Sequence, residues 1–526
     1  LCDWSSDVCS SDLTFPIKHD MKYETLPPSQ HMFNDSYELD YKMLEEQYSI
    51  YDGNFSQCPQ IMKEKLLNLL EQFSDRFSVS KLDIEKTDLY ESELNTTPSK
   101  IINQPVKRLP QSKFHLALKA INQLKQFGIV TNSDSSWRSN LLMIPHSLND
   151  SLQDSKSTNM NKELPNLHKI CLDFQELNSI LEPIQHITST SLEKIFVTLK
   201  NKILVTLDIS NILFSIPIKQ KDRYKTAFWI NEFAYELQTL VPGIKTNQYH
   251  INQLLDKVFS QEIFNKLRIQ LTEQEQENSP ESFSQCTIHY FETLIIFAED
   301  YEQLIINLKL VLLAAKNAKI KFSIQNSEFL VTTIQIQGYS FNTKENFVAL
   351  DKIKSSAIQN MKKPANLQEL HSRLASLHYQ SSFLPYIKHI LYPLQFLLQQ
   401  KQFSWGPVEE HAWQSAKMLA TLSLRFAIPE DTDELVITTD ASKVAASACL
   451  FRVKNEKLEL IAVSSKYFNT QDLNKCSYIL EAISLAYALK VFATYLLNCK
   501  SNVKIFTDAK SLIYAKRMSN HSILLN

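Results

Sequence analysis

The sequence predicts an α+β chain of several domains whose last part is a layered α/β block. Its 526 residues are too many for one ordinary core and correspond to about three or four domains. Residues 287–298 have the pattern of two strands joined by a tight turn, and helical periodicity follows at 301–318. From residue 435 onward, three strands, a helix and a fourth strand follow one another, which is the pattern of an α/β layer.

Composition limits the kinds of protein that this chain can be. With 44% hydrophobic and 21% charged residues, it has the make-up of a soluble globular protein rather than of a disordered or fibrous one. No stretch approaches the roughly 20 uninterrupted apolar residues that span a bilayer, so we expect no membrane partner. The 55 Lys and Arg against 57 Asp and Glu leave a net charge of -2, so contact with nucleic acid would have to come from a local groove.

Glycine and cysteine usage narrows the choice further. Five glycines in the whole chain amount to about 1%, against about 7% in an average protein, which disfavours folds with Gly-rich phosphate loops. None of the eight cysteines stands at the spacing of a zinc site. Their apolar neighbours indicate buried, reduced thiols, so we expect an intracellular protein, in the nucleus or in the cytoplasm.

The first elements of the chain are predicted to be helices followed by strands. Apolar residues recur every three or four positions at 62–77 and at 114–127, which predicts two amphipathic helices. Short strands follow at 137–145 and 170–174. The polar stretch between them, 147–162, is expected to be a mobile surface loop.

The central part carries two acids in unusual positions. The segment KILVTLDISNILFSIPI, at 202–218, begins as a strand that is apolar on both faces and contains one acid, Asp208. At 287–298, two apolar runs flank Glu292 and Thr293 as strands flank a hairpin turn. An ionised carboxylate in a buried strand is costly unless a cation or hydrogen-bond donors compensate it.

The final block places three acids on three different elements. After a helical region at 367–398, strands predicted from LVITTDAS, ASACLFRV and LELIAVSS precede a long helix at 473–497 and a strand in NVKIFTDA. Asp440 and Asp508 end strands, and Glu481 lies in the first half of the helix.

These acids have a functional and an ordinary interpretation. Asp208 and Glu292, if they lie side by side, could hold magnesium, and Asp440, Glu481 and Asp508 could form a two-metal hydrolase site with cations about 4 Å apart. Each could equally be a turn or capping residue, because ends of strands favour Asp. The residues alone leave both interpretations open.

An ordered series of motifs resembles the reverse transcriptase of gypsy-like long-terminal-repeat retrotransposons. The segments are QLKQFGIVTNSDSSWRSNLLMIP, KICLDFQELNSIL, LVTLDISNILFSIPI and HYFETLIIFAEDYEQL, in the family's order and at similar spacing. Later, FSWGPVEEHAWQSAKMLAT, TTDAS and SYILEAISLAYALKVFATYLL resemble its connection segment and ribonuclease H domain. The resemblance implies a right-hand polymerase of fingers, palm and thumb, followed by a ribonuclease H-like α/β domain.

The resemblance implies metal-binding roles for the central acids, with a departure from the family pattern. Asp208 matches the metal-binding Asp of the first palm motif. Tyr290, Phe291, Glu292 and Thr293 stand where the family has Tyr-x-Asp-Asp. Glu292 keeps a charge but is longer, and Thr293 supplies only a neutral hydroxyl, so three ligating acids become two. We therefore expect Mg²⁺ as the family cofactor, held poorly, since its octahedral geometry tolerates little change.

Three further residues match the family's nucleotide pocket. Lys169 replaces an Arg expected near the incoming triphosphate, and Leu213 replaces the aromatic sugar gate. Gly243, in VPGIKTNQYHIN, is the intact part of a run usually written with Phe-Gly and Ala-x-x-Phe-Gln. These differences also imply impaired polymerisation.

Asp440, Glu481 and Asp508 match three of the four acids of the family's ribonuclease H domain. The sequence stops at Asn526, before the fourth acid is expected, which we interpret as a C-terminal truncation that prevents cleavage of an RNA:DNA hybrid. The first residues, LCDWSSDVCSSDL, resemble the translation of a sequencing adapter.

The implied domain organisation follows from these matches. It comprises an adapter-derived artefact at 1–13, an N-terminal helix and linker at 14–105, fingers and palm at 106–345, thumb and connection at 346–433, and a truncated ribonuclease H-like domain at 434–526.

The sequence thus predicts a retrotransposon-derived reverse transcriptase and ribonuclease H-like protein, of the RNA-directed DNA polymerase family, with impaired catalysis. The alternative is a non-catalytic nucleic-acid-binding or scaffold relic of a Pol polyprotein. The expected partners are an RNA or DNA template-primer and an RNA:DNA hybrid, and the oligomeric state stays open.

Overall fold

The computed structural model describes most of the chain from residue 59 onward. It covers 59–507 and 509, apart from gaps at 79–82, 98–100, 106, 146–167, 183–191, 337, 401, 423, 431 and 501–502. The loop predicted at 147–162, the segment 1–13 and Asp508 lie outside these described residues. No described helix is both long and apolar enough to cross a membrane.

The helices within the described residues range from single turns to five turns. They are α1 (Gln60–Gln72), α2 (Gln111–Gln126), α3 (Gln175–Ile180), α4 (Leu192–Leu199), α5 (Ile212–Ser215), α6 (Gln220–Arg223), α7 (Asn247–Val258), α8 (Gln261–Arg268), α9 (Glu273–Glu277), α10 (Tyr301–Ala318), α11 (Lys352–Gln359), α12 (Leu367–Tyr379), α13 (Ile387–Leu398), α14 (Pro407–Thr421), α15 (Ser477–Val491) and α16 (Ala493–Asn498).

The strands of the described residues form four sheets. They are β1 (Phe77–Ser78), β2 (Val130–Asn132), β3 (Ser139–Pro145), β4 (His168–Asp173), β5 (Ile203–Ile209), β6 (Phe228–Ile230), β7 (Phe233–Leu237), β8 (Thr287–Tyr290), β9 (Thr293–Ala298), β10 (Phe322–Val331), β11 (Thr333–Ile336), β12 (Tyr339–Asn342), β13 (Phe347–Leu350), β14 (Arg425–Ala427), β15 (Glu434–Ala441), β16 (Ala445–Lys454), β17 (Lys457–Tyr467) and β18 (Val503–Phe506).

Two compact units divide the chain, and the division does not follow the chain in order. The first unit contains the residues up to Ser191 together with Lys202–Val331. The second contains Leu192–Asn201 and everything from Thr332 onward. The helix α4 therefore belongs to the second unit although first-unit residues flank it in the chain.

The first unit is built on two five-stranded sheets. One has the order β1-β10-β5-β9-β8, with β5 at its centre and antiparallel to both neighbours, and the other has the order β2-β7-β6-β3-β4. Leu204, Val205 and Leu207 of β5 are fully buried, as the apolar pattern predicted. The helix α10 packs on β5 and β9 and begins where the Asp300 side chain accepts the backbone N–H of Gln303 at 2.8 Å.

Several element boundaries differ from the sequence prediction. The helix predicted at 62–77 ends at Gln72, because the chain then makes a 3₁₀ turn and Phe77 enters the sheet beside Phe322. The helical region predicted at 367–398 breaks into α12 and α13 around a 3₁₀ turn at Ser381–Phe383. Helix α9 forms where no element was predicted, and a capping box between Thr272 and Glu275 starts it.

The second unit combines a helical cluster with two four-stranded sheets. Helices α11 to α14 pack around Trp413, which is 1% exposed. The sheets have the orders β11-β12-β13-β14 and β17-β16-β15-β18, and α15 packs on β15 and β16 as the predicted α/β layer requires. The helix α4 joins this unit through a 4.9 Å ring contact between Phe196 and Phe341.

Candidate active site

Asp208 lies near the end of the central strand of the first sheet. Its cross-strand partners are Thr293 of β9 on one side and Ser323 of β10 on the other. Its backbone N–H donates to the hydroxyl of Ser327 at 3.2 Å. The strand is buried because both of its faces are apolar, whereas Asp208 itself is half-buried near the end of the strand.

Glu292 lies at the tip of the β8–β9 hairpin, beside Asp208. Its backbone carbonyl accepts the N–H of Ile209 at 2.9 Å, which ties the hairpin tip to the end of β5. The turn was predicted at Glu292 and Thr293, but it consists of Phe291 and Glu292, and Thr293 is already the first residue of β9. The shift occurs because Phe291 takes a left-handed backbone conformation, with φ of 53°, that sequence patterns assign to Gly or Asn.

The two carboxyl groups affect each other electrostatically. Burial raises the pKa of Asp208, and the hydrogen bond from Asn326 opposes that rise. Burial also raises the pKa of Glu292, and the neighbouring charge of Asp208 raises it further. The structure thus brings together the two acids that the sequence singled out in this region, and it places them where ionising both is unfavourable.

Asn326 contacts Asp208 and was not predicted from the sequence. Its Nδ2 group donates to Oδ2 of Asp208 at 3.0 Å, from the strand β10 that lies beside β5. No local motif marks this residue. Its role depends on the register of β10, where the pairing shifts between Ser323 and Glu328, so only the three-dimensional structure reveals the contact.

The described residues at this position do not fit a site for two divalent cations. A pair of cations about 4 Å apart needs several shared carboxylate oxygens, and each magnesium ion demands nearly octahedral geometry. Here there are two carboxylates and the hydroxyl of Thr293, and one oxygen of Asp208 accepts an amide N–H. Among the described residues, no group of three or more His, Cys, Asp or Glu is arranged to hold a metal ion.

The residues predicted for a nucleotide pocket lie in different environments. Leu213, in α5, is 6% exposed and packs in the main core of the first unit. Gly243 has φ of 102°, and its carbonyl accepts from Nδ2 of Asn178 at 2.8 Å. The backbone of Lys169 lies in β4, opposite Ile144. Contact between any of these residues and a nucleotide stays a prediction.

In the second unit, Asp440 and Glu481 approach from different elements. Asp440 lies near the end of β15, opposite Ser447 of β16, and its backbone carbonyl accepts the Ser484 hydroxyl at 3.1 Å. Glu481 and Ser484 are three residues apart on α15, so they share the helix face that packs on β15 and β16. Glu481 is 6% exposed. The third predicted acid, Asp508, lies outside the described residues.

Tyr386, at the N-cap of α13, and His389, in its first turn, border Asp440 and were not predicted. Nε2 of His389 lies 2.9 Å from the carbonyl oxygen of Ala445, and burial lowers the pKa of His389, while that contact and the charge of Asp440 oppose the change. Burial raises the pKa of Tyr386, and Cys449 and Asp440 add to this. A Tyr-x-x-His spacing at the start of a helix is a weak signal, and only the packing of α13 on β16 and β17 shows where these residues lie.

Comparisons with known proteins find a domain of reverse transcriptases and Pol polyproteins of transposons. A family model described as the RNase H-like domain found in reverse transcriptase matches residues 430–525. The Pol polyprotein of transposon opus from Drosophila melanogaster is 25% identical over 474 residues, which is 87% of this chain and 43% of the polyprotein. The Pol polyprotein of transposon 412 from the same organism is 22% identical and is covered to 35%, with 88% of this chain matched. The chain therefore spans less than half the length of these relatives.

Solved structures show the same fold at low sequence identity. The foamy viral protease-reverse transcriptase in complex with an RNA/DNA hybrid is 15% identical, with a TM-score of 0.66 over 88% of this chain and 58% of that chain. The same viral protein in complex with double-stranded DNA is 16% identical, with a TM-score of 0.65 over 89% of this chain and 91% of that chain. The predicted fold, a polymerase hand followed by a ribonuclease H-like domain, is confirmed.

Proposed function

We propose that the chain, which is similar to the Pol polyproteins of gypsy-type elements, is a retrotransposon-type reverse transcriptase and ribonuclease H-like protein. It binds template-primer duplexes and RNA:DNA hybrids but copies a template at no more than background rate. The expected loss of copying activity rests on the surroundings of Asp208 and Glu292. The amide of Asn326 and the hydroxyl of Thr293 lie where a site for two cations would need further carboxylate oxygens.

The proposal of nucleic-acid binding draws on the fold. The foamy viral proteins that share it were solved with an RNA/DNA hybrid and with double-stranded DNA. This chain has a net charge of only -2, so its affinity would come from a local groove of Lys and Arg side chains that contact phosphates. Binding of that kind releases counterions and weakens steeply with salt.

The raised pKa values of Asp208 and Glu292 support the proposal that copying of a template is impaired. Proteins of this family ordinarily use divalent metal ions, and we infer that Mg²⁺ is the ion concerned here. Asp208 and Glu292 are the side chains that would contact it, and both have raised pKa values, so both resist the ionised form that binds a cation. Thr293, opposite Asp208, adds no charge.

Primer extension tests the catalytic half of the proposal. With magnesium or manganese, we expect the purified protein and its Asp208→Asn variant to extend a primed template equally, at the background of the assay. The double variant Glu292→Asp with Thr293→Asp supplies the missing carboxylate and is the rescue arm. Incorporation by the natural protein that Asp208→Asn abolishes would overturn the proposal.

Equilibrium binding tests whether the protein binds nucleic acid, and it distinguishes this function from a pure scaffold role. We expect the affinity for a primer-template to fall by at least about tenfold between 50 and 200 mM salt, which corresponds to two or more phosphate contacts. Asp208→Asn should leave this affinity within about twofold, because the change removes no Lys or Arg side chain that could contact a phosphate. A scaffold protein would show no measurable binding, and that result would remove nucleic acid as a partner.

For the ribonuclease H-like domain, we infer that Asp440 and the largely buried Glu481 belong to the site that would act on the RNA strand of a hybrid. Their shared position at the end of β15 and on α15 supports this. Glu481→Gln should leave the affinity for a hybrid within about twofold, whereas any metal-dependent cleavage should disappear. Cleavage that survives Glu481→Gln would remove this residue from the site.

A further inference from the structure

The first unit contains a polar cavity that takes no part in the candidate active site. Its volume is about 340 Å³, within the range of small-ligand pockets. The walls come from four separate stretches of the chain, around Tyr90, Glu182, Lys219 and His250. No residue that lines it belongs to the site around Asp208.

One wall is rigid and uncharged at neutral pH. The hydroxyl of Tyr90 and Nδ1 of His250 lie 2.7 Å apart in a hydrogen bond. Burial lowers the pKa of His250 to about 4 and raises the pKa of Tyr90 to about 12, so neither side chain ionises near pH 7. His250 is 2% exposed, and this wall therefore offers fixed polar groups instead of a mobile surface.

A second wall holds a buried hydroxyl with no bonding partner. Thr246 lines the cavity, is 6% exposed, and its Oγ1 atom makes no hydrogen bond among the described residues. It precedes helix α7 at the capping position, yet its side chain does not cap the helix. An unsatisfied buried hydroxyl is unfavourable, so a ligand group that bonds to it would gain affinity.

The charge of the lining is negative. Glu91, Glu93 and Glu182 face the cavity, and Lys219 is the single lining ammonium. Lys219 pairs with Glu93, which Lys221 also approaches at 3.3 Å. Within the part of the chain that the structure describes, neither Glu91 nor Glu182 makes an ion pair. Another ammonium, that of Lys257, lies over the Tyr90 ring at 5.1 Å.

We propose that this cavity binds a small organic amine of the polyamine class. Its ammonium groups would neutralise Glu91 and Glu182, and a polar group of the ligand would bond to Thr246. A divalent cation is disfavoured because the described carboxylates do not converge on one point. An inorganic anion, which the start of α7 could attract, would meet three carboxylates.

Calorimetric titration of the full chain with spermidine and with agmatine tests the proposal. The double variant Glu91→Gln with Glu182→Gln should weaken binding by about tenfold, at up to about fivefold for each exposed ion pair. The control is Glu64→Gln, which removes an exposed acid of α1, away from the cavity. It should leave the dissociation constant unchanged.

A second pair of variants tests the buried hydroxyl without changing charge. Thr246→Val keeps the shape of the side chain and should weaken amine binding by about two- to tenfold. Thr239→Val is the matched control, because Thr239 is fully buried and its Oγ1 also lacks a partner, but it does not line the cavity. Neither change should lower the melting temperature, so a loss of binding could not be assigned to unfolding.

Each possible result of these titrations either supports or overturns the proposal of amine binding. Saturable amine binding that the Glu91, Glu182 and Thr246 variants weaken, and the two controls do not, supports the proposal. Absence of saturable binding, equal weakening by the controls, or tighter binding of inorganic phosphate than of either amine overturns it. The result does not depend on whether the protein binds nucleic acid.

Discussion

Replacing Glu292 by Gln should stabilise the folded protein at neutral and higher pH. Burial and the charge of Asp208 raise the pKa of Glu292 in the folded state. A carboxyl group whose folded pKa is raised contributes stability below its ordinary pKa, and that contribution is lost as the pH rises through the folded pKa. Gln cannot ionise, so the variant avoids the loss.

The size of the expected gain in stability follows from the distance between the carboxylates of Asp208 and Glu292. Glu292 directly precedes Thr293, the residue paired with Asp208, and the charge of Asp208 raises the pKa of Glu292, so we take the two carboxylates to be roughly 7 Å apart, close to the range of about 4–6 Å over which neighbouring charges shift pKa values most. At an effective dielectric constant of about 20, two like charges at that distance repel by about 2 kcal/mol, and physiological salt reduces this to about 1 kcal/mol. We expect Glu292→Gln to gain about 1 kcal/mol near pH 8 and nothing near pH 4.

Urea denaturation of both proteins between about pH 4 and pH 8 measures this difference. The control is Glu299→Gln on the same hairpin. Glu299 is exposed and its pKa is lowered by Lys202, 2.6 Å away, so its replacement should bring no gain at high pH. If Glu292→Gln lowers the urea midpoint at pH 8, or if the natural protein is equally stable across the whole range, the two acids do not repel each other as described.

Other predictions concern the wider fold. Arg452 is 3% exposed and contacts Asp433 and Glu459, so Arg452→Met should lower the free energy of unfolding in urea by about 3 kcal/mol. Arg425 forms an exposed pair, so Arg425→Met should lower it by less than about 1 kcal/mol. Equal losses would contradict the burial of Arg452. Gly243→Ala should cost about 1–2 kcal/mol by the same measurement because of its φ of 102°, and a neutral result would contradict that backbone conformation. Burial raises the pKa of Cys286 to about 12, so iodoacetamide followed by mass spectrometry should label the exposed Cys476 and leave Cys286 unmodified.

The elements that the sequence predicted well are those with strong periodicity and local start signals. Helix α10 occupies the predicted range because its apolar residues repeat at helical spacing and Asp300 caps its first turn. Strand β5 was equally predictable from a run that is apolar on both faces. The convergence of Asp208 and Glu292 was predicted from a family resemblance, since nothing local to either residue indicates the other.

The parts that could not be predicted depend on contacts distant in the chain. The hairpin turn is displaced by one residue because Phe291 accepts a left-handed conformation that its type disfavours. Asn326 reaches Asp208 through a pairing shift in β10, and the amine cavity assembles around Tyr90 and His250, which are 160 positions apart. Periodicity and turn composition carry no information about such distant neighbours.

The placement of α4 in the second unit has a consequence for synthesis on the ribosome. Phe196 is synthesised before any of Lys202–Val331, and its ring partner Phe341 comes later still. At about 5–20 residues per second, the ring waits of the order of ten seconds for its partner. If the gene were divided near codon 332, one product would carry α4 without the rest of its unit, and the other would lack α4. The second unit is therefore complete only when both parts are made as one chain.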